Sequence, residues 1–164
     1  MRDSTKQQID QLLDSFEASR RQKREEEDKT ATMEQAFLDA FASEIAEEII
    51  VPELTQLGEH LKARGYAYEI TQQPEYYQHR DRVKESVVFR VAVGTSFGSE
   101  TDDAPRLRYT CDVERRKVAV DYSTVTKKHG GSSGSIADYT VDEISRESVE
   151  RDATTFLSKL LSAH

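Results

Sequence analysis

Residues 107–122 read LRYTCDVERRKVAVDY, and the two halves of this stretch place apolar side chains at every second position: Leu107, Tyr109, Cys111 and Val113, then Val118, Val120 and Tyr122. A period of two marks a strand with one buried face, and two such runs around a charged patch describe an antiparallel hairpin. Taking Glu114-Arg115-Arg116-Lys117 as the connection sets Val113 opposite Val118, Cys111 opposite Val120 and Tyr109 opposite Tyr122. One register then gathers every apolar residue on one side, and a slip by one residue would expose them all. The connection has no Asn-Gly, which points to a longer loop built on a type I turn.

The same period recurs upstream. Val87, Phe89, Val91 and Val93 share one face with Arg90 and Ala92 on the other, and Tyr66, Tyr68 and Ile70 alternate with Ala67, Glu69 and Thr71. Residues 72–84, with Pro74, read as a polar connection, and residues 94–105 as a Gly, Ser and Asp-rich loop. Downstream, residues 130–135 (GGSSGS) read as a flexible loop and 136–139 as a short extended piece. The expectation is an antiparallel sheet of about four strands covered on one face.

On either side the spacing turns helical. Thr32 and Gln35 have capping-box spacing, and Met33, Phe37, Phe41, Ile45 and Ile49 recur every four residues, with Leu38, Ala42 and Ala46 widening that face. Pro52 predicts a kink or break near Val51, because proline lacks a donor and disfavours helical geometry before it. The stripe resumes with Leu54, Leu57 and Leu61 until Gly65, placed for a left-handed cap. At the other end Thr140 and Glu143 predict a capping box with Tyr139 and Ile144 as its staple. Val141, Ile144, Val149, Ala153, Phe156, Leu157, Leu160 and Leu161 form the apolar face of a C-terminal amphipathic helix. The fold class is therefore α+β: N-terminal helices, the sheet, and this last helix.

Ahead of these elements, Ile9, Leu12, Leu13 and Phe16 fall on one helical face, followed by RRQKREEED (20–28), which has nothing to bury. So short a stripe is marginal as an isolated helix, so residues 1–31 are expected to form a helical arm or linker that docks on something, and 32–164 a single α+β domain.

Composition narrows the partners. A net charge of −8 disfavours nucleic acid, whose binding draws on Lys and Arg releasing condensed counterions. No run approaches the roughly 20 apolar residues that span a bilayer, and with one cysteine, Cys111, no internal disulfide can form, which together suggest a cytoplasmic protein without a membrane partner. Cys111 falls on the inward parity and reads as a structural thiol. His60, His79, His129 and His164 are scattered and no His-Glu-x-x-His occurs, so neither a metal nor a cofactor is expected. The pairs Glu47-Glu48 and Asp102-Asp103 read as solvated. The 130–135 loop lacks the Gly-Lys-Ser/Thr ending of a phosphate loop, and Lys127, Lys128 and His129 beside it read as solvated.

Two surfaces are left. Arg90, Arg106, Arg108 and Lys117 project from the polar sheet face with Glu69, Asp112 and Asp121, a possible ligand face whose mixed signs suit cross-strand ion pairs. Tyr66, Tyr68, Tyr109 and Tyr122 point inward, which removes them as stacking platforms for RNA and leaves Tyr76 and Tyr77. The stripe Ile9, Leu12, Leu13 and Phe16 is the better candidate. It predicts a non-enzymatic interaction module, an adaptor or chaperone-like subunit, that binds a protein partner or a second copy of itself as a homodimer. The alternatives are a small-molecule site or enzyme between sheet and helices, and a nucleic-acid-binding subunit.

Overall fold

In a computed structural model that describes residues 2–92, 94, 96, 97, 103–127 and 130–163, the elements run α1 (Asp3–Ala40), a π-helix (Phe41–Ile50), α2 (Val51–Ala63), β1 (Tyr68–Gln73), β2 (Tyr76–Gln78), β3 (Asp81–Val83), β4 (Ser86–Val91), β5 (Arg106–Asp112), β6 (Lys117–Ser123), β7 (Ser133–Tyr139) and α3 (Arg146–Ala163). The class is α+β. The chain divides into two compact units, Met1–Ala36 and Phe37–His164.

In the second unit, β1-β4-β5-β6-β7 form a five-stranded antiparallel sheet, one strand more than expected. The central hairpin forms, but two residues out of the expected register: Cys111 faces Val118, Tyr109 faces Val120 and Leu107 faces Tyr122. A shift by two keeps every side chain on its face, so the core is unaffected. The connection is Val113–Arg116 because the Asp112 carboxylate accepts the Arg115 N–H at 3.3 Å and Arg116 takes φ 51°, closing the loop one residue earlier.

Two loops prove to be paired. Residues 76–83 fold into a two-stranded hairpin, β2 with β3, turning through His79 and Arg80, both at positive φ. Ser133–Ser135, expected in a loop, belong to β7, which pairs with β6 and bulges where the register shifts between Val120 and Asp121. Val93, assigned to the inner face of a strand, lies outside the described residues.

The inner sheet face (Val87, Phe89, Leu107, Tyr109, Cys111, Val118, Val120) packs in one core with Phe37, Phe41, Ile45, Ile50, Leu54, Val149 and Phe156. Phe89 and Phe156 meet edge to face, centroids 6.5 Å apart. Tyr66 departs from its expected inward position and is exposed, since the strand starts at Tyr68.

Helix boundaries also move. Thr32 does not cap a helix; its hydroxyl donates to the Asp28 carbonyl inside α1, because no Gly or Pro interrupts residues 3–40. No break occurs at Pro52 either. Val51 keeps helical angles, its N–H donates to the Ala46 carbonyl five residues back, and Pro52 sits in the first turn of α2, where its missing N–H is tolerated. Gly65 does end that helix at φ 90°: Tyr66 N–H donates to Leu61 O and Gly65 N–H to Lys62 O, a Schellman cap. The last helix starts at Arg146, later than expected. Thr140 N–H does donate to Glu143 Oε2, but the functioning cap is the pair Ser145 and Ser148, each accepting the other's N–H through its hydroxyl. Val141 and Leu161, placed on the apolar face, are exposed.

Candidate functional site

Within the first unit, α1 presents Ile9, Leu12, Leu13 and Phe16 on successive turns at 40, 71, 51 and 59% exposure. The sequence brings them together because steps of three and four residues return to one side of an α-helix. The Arg20 guanidinium lies 5.7 Å from the Phe16 ring centroid, so even the local neighbour of that ring is a cation. Further along, Gln22 donates to Glu26 at 3.3 Å. Met33, assigned by its spacing to the buried stripe, is 54% exposed and extends the apolar character of the arm instead. The only buried residue of α1 is Phe37, the first residue of the second unit. The arm therefore has an apolar face and no core of its own.

On the outer sheet face Arg90 and Arg106 stand directly opposite across β4 and β5, and Arg108 is two residues on from Arg106. Arg108 Nε pairs with Asp121 Oδ2 at 3.1 Å, and Arg90 reaches Thr71 Oγ1 at 3.5 Å. The Nε groups of Arg90 and Arg106 are buried with no hydrogen-bond acceptor. Lys117 does not join them. It lies opposite Asp112 at the hairpin end, and Asp112 is held instead by Lys84 at 3.2 Å and by Arg115. Burial alone would raise the Asp112 carboxyl, but the Arg115 N–H and the Lys84 ammonium outweigh it and hold the group below the usual carboxylate range.

A third polar group was not legible from alternation or charge runs. Asp152, on the inner face of α3, accepts the Tyr109 hydroxyl at 3.1 Å and the Tyr139 hydroxyl at 2.8 Å, while Arg151 donates to the Tyr139 oxygen at 3.2 Å. Burial raises the Asp152 carboxyl above its ordinary range, and the two tyrosine hydroxyls pull the other way without cancelling it. Its signal in the sequence is a carboxylate between Val149, Ala153 and Phe156, on the stripe that should be apolar. Both tyrosines that donate to it are buried, with Arg151 at the exposed edge, so the cluster is a satisfied core network.

Burial pushes the Cys111 thiol up to about 12, with the Glu85 carboxylate adding to the effect, so it stays protonated and inert at neutral pH. Lys127 pairs with Asp103 at 2.8 Å. Asp102, Lys128, His129 and His164 lie outside the described residues. At the glycine-rich loop the Ser132 N–H donates to Thr124 Oγ1 and the Ser132 carbonyl accepts the Thr124 N–H. Tyr76 and Tyr77 are exposed on the β2–β3 hairpin.

A groove of about 530 Å³ lies between the C-terminal ends of α2 and α3, lined by Leu61, Tyr66, Val91, Leu157 and Leu161 with His60 and Arg64. None of the three sheet arginines lines it. No helix among the described residues is long and apolar enough to cross a membrane. In comparisons with known proteins, the chain matches no protein-family model, no curated protein and no solved structure.

Proposed function

We propose that this chain is a protein-interaction module, an adaptor or chaperone-like subunit, that docks protein through the α1 stripe Ile9, Leu12, Leu13 and Phe16. The observation that carries this reading is the exposure of all four side chains on one helix face in a unit with no core. Covering Leu and Phe side chains removes apolar area from water at about 25 cal/mol per Å², which an exposed helix forgoes until it docks. Helices laid on apolar surfaces use this same i, i+3, i+4, i+7 set of anchors.

The test is the Leu12→Glu/Phe16→Glu double variant of the full chain, compared with the parent by mass in solution and by proteins retained from native extract. The variant should lose the association while keeping the melting temperature of the second unit. Association unchanged by two charges on the stripe would sink the reading.

The arginine face supports a second reading, in which the sheet receives an anionic group. Its specific support is the pair of buried Nε groups on Arg90 and Arg106, donors whose desolvation is uncompensated. Titration with inorganic phosphate, followed by the arginine Nε–H resonances, should shift those of Arg90 and Arg106 and leave Arg115 unmoved. Resonances indifferent to phosphate remove this reading.

A further inference from the structure

We infer that the partner of the arm is a second copy of this chain, and that the two α1 helices pair antiparallel about a two-fold axis beside the Arg24–Glu25 peptide bond. The inference rests on the docking reading above and deepens it. Helix α1 is unbroken over 38 residues, about 57 Å at 1.5 Å per residue. Counting heptads from Ile9 puts Ile9, Phe16, Lys23 and Thr30 at a positions and Leu12, Ser19, Glu26 and Met33 at d positions, with Leu13 flanking the seam.

The middle of that seam is charged, and this decides the orientation. In a parallel pair, Lys23 would face Lys23 of the partner and Glu26 would face Glu26 of the partner, like charges stacked in the contact layer. Antiparallel pairing about Arg24–Glu25 brings each a position level with a d position of the other chain: Lys23 with Glu26 of the partner, Ser19 with Thr30 of the partner, and Phe16 with Met33 of the partner. Opposite charges meet at the centre and apolar residues meet on either side.

The flanking positions agree. Arg20 comes beside Glu27 of the partner, and Gln22 beside Lys29 of the partner. The basic run 20–24 and the acidic run 25–28, which have nothing to bury within one chain, become complementary halves of a self-recognising surface. The exposure of both Phe16 and Met33, 17 residues apart on one helix, finds a common explanation. The paired seam runs from Phe16 to Met33; Phe37, the next a position, is already buried in the core of the second unit.

Sedimentation of the full chain at micromolar concentration should give twice 18.7 kDa. Lys23→Glu or Glu26→Lys alone sets like charges opposite each other and should raise the dimer dissociation constant by at least about tenfold, while the double reversal restores it. Under oxidising conditions, Ser19→Cys and Thr30→Cys chains should cross-link with each other and not each with itself; Cys111 is buried and does not interfere. A monomeric full chain, a dimer indifferent to the reversals, or self-linking of the Ser19→Cys chain would each overturn this pairing. A monomer whose Leu12→Glu/Phe16→Glu form still loses a different protein defeats the pairing alone. A monomer with no association to lose defeats the docking reading as well.

Discussion

A methyl group added at Gly58 would overlap ring carbons of Tyr68, whose hydroxyl donates to Glu59 at 2.6 Å and so holds the ring against α2. Two effects oppose each other in Gly58→Ala. The helix gains about 1 kcal/mol of propensity, and the packed interface loses about 1–3 kcal/mol to overpacking. We expect the loss to win and the melting temperature to fall by a few degrees, roughly 2–4 °C per kcal/mol for a chain of this size; a raised melting temperature would mean that the ring simply swings aside. Asp152 makes a prediction of the opposite kind, because its folded state holds the proton more tightly than the unfolded chain does. Its contribution to stability is complete below the ordinary value near 3.8 and is lost as pH rises through the raised folded value. Urea midpoints measured across acid pH should therefore show a component that declines with rising pH and disappears in Asp152→Asn; parallel profiles for the two proteins would contradict it. Neither residue could be read from the sequence beyond a hint, since a glycine inside a helix and an acid on an apolar stripe acquire meaning only from what faces them.

At the scale of elements, the β2–β3 hairpin turns through two non-glycine residues, His79 at φ 51° and Arg80 at φ 75°. A side chain in the left-handed region costs about 1–2 kcal/mol, which is why two-residue turns of this hand favour Asn-Gly. Replacing His79-Arg80 with Asn-Gly should stabilise the hairpin locally by about 1 kcal/mol, seen as slower amide exchange at Gln78 and Asp81, the pair that flanks the turn, and at the next hydrogen-bonded pair, Tyr76 and Val83. Unaltered exchange would show that the turn does not limit opening. The absent Asn-Gly also explains why these strands were illegible: turn chemistry was the only local evidence, and it was missing. Where the evidence was periodic the reading held, as in the alternation of β5 and β6, although register slipped by two because parity fixes a face and not a partner. The helical repeat of four residues shows the same limit. Four residues exceed one 3.6-residue turn by about 40°, so a strict repeat drifts around an α-helix. The chain absorbs the drift in the π-helix, burying Phe41, Ile45, Ala46 and Ile50.

Taken whole, the chain joins a second unit built around one hydrophobic core to a first unit that is a single helix with its apolar side chains exposed. Helices stay folded in proteins mainly through packing of an apolar face, and an isolated one is marginal in water even when its propensity is high. The 20–28 run adds little to offset this, since exposed charge pairs at helical spacing contribute about 0.2–0.5 kcal/mol each. The persistence of α1 must then depend on what covers it, while the second unit depends on its own core. Circular dichroism over a dilution series should show helix content that falls as the chain is diluted, with fast amide exchange confined to residues 5–33 and protection in β4, β5 and β6 unchanged. If residues 5–33 stay protected at the highest dilution, the arm is stable without a partner. Helix formation in the arm would then not be coupled to its partner, and docking would recover only the apolar area that it covers.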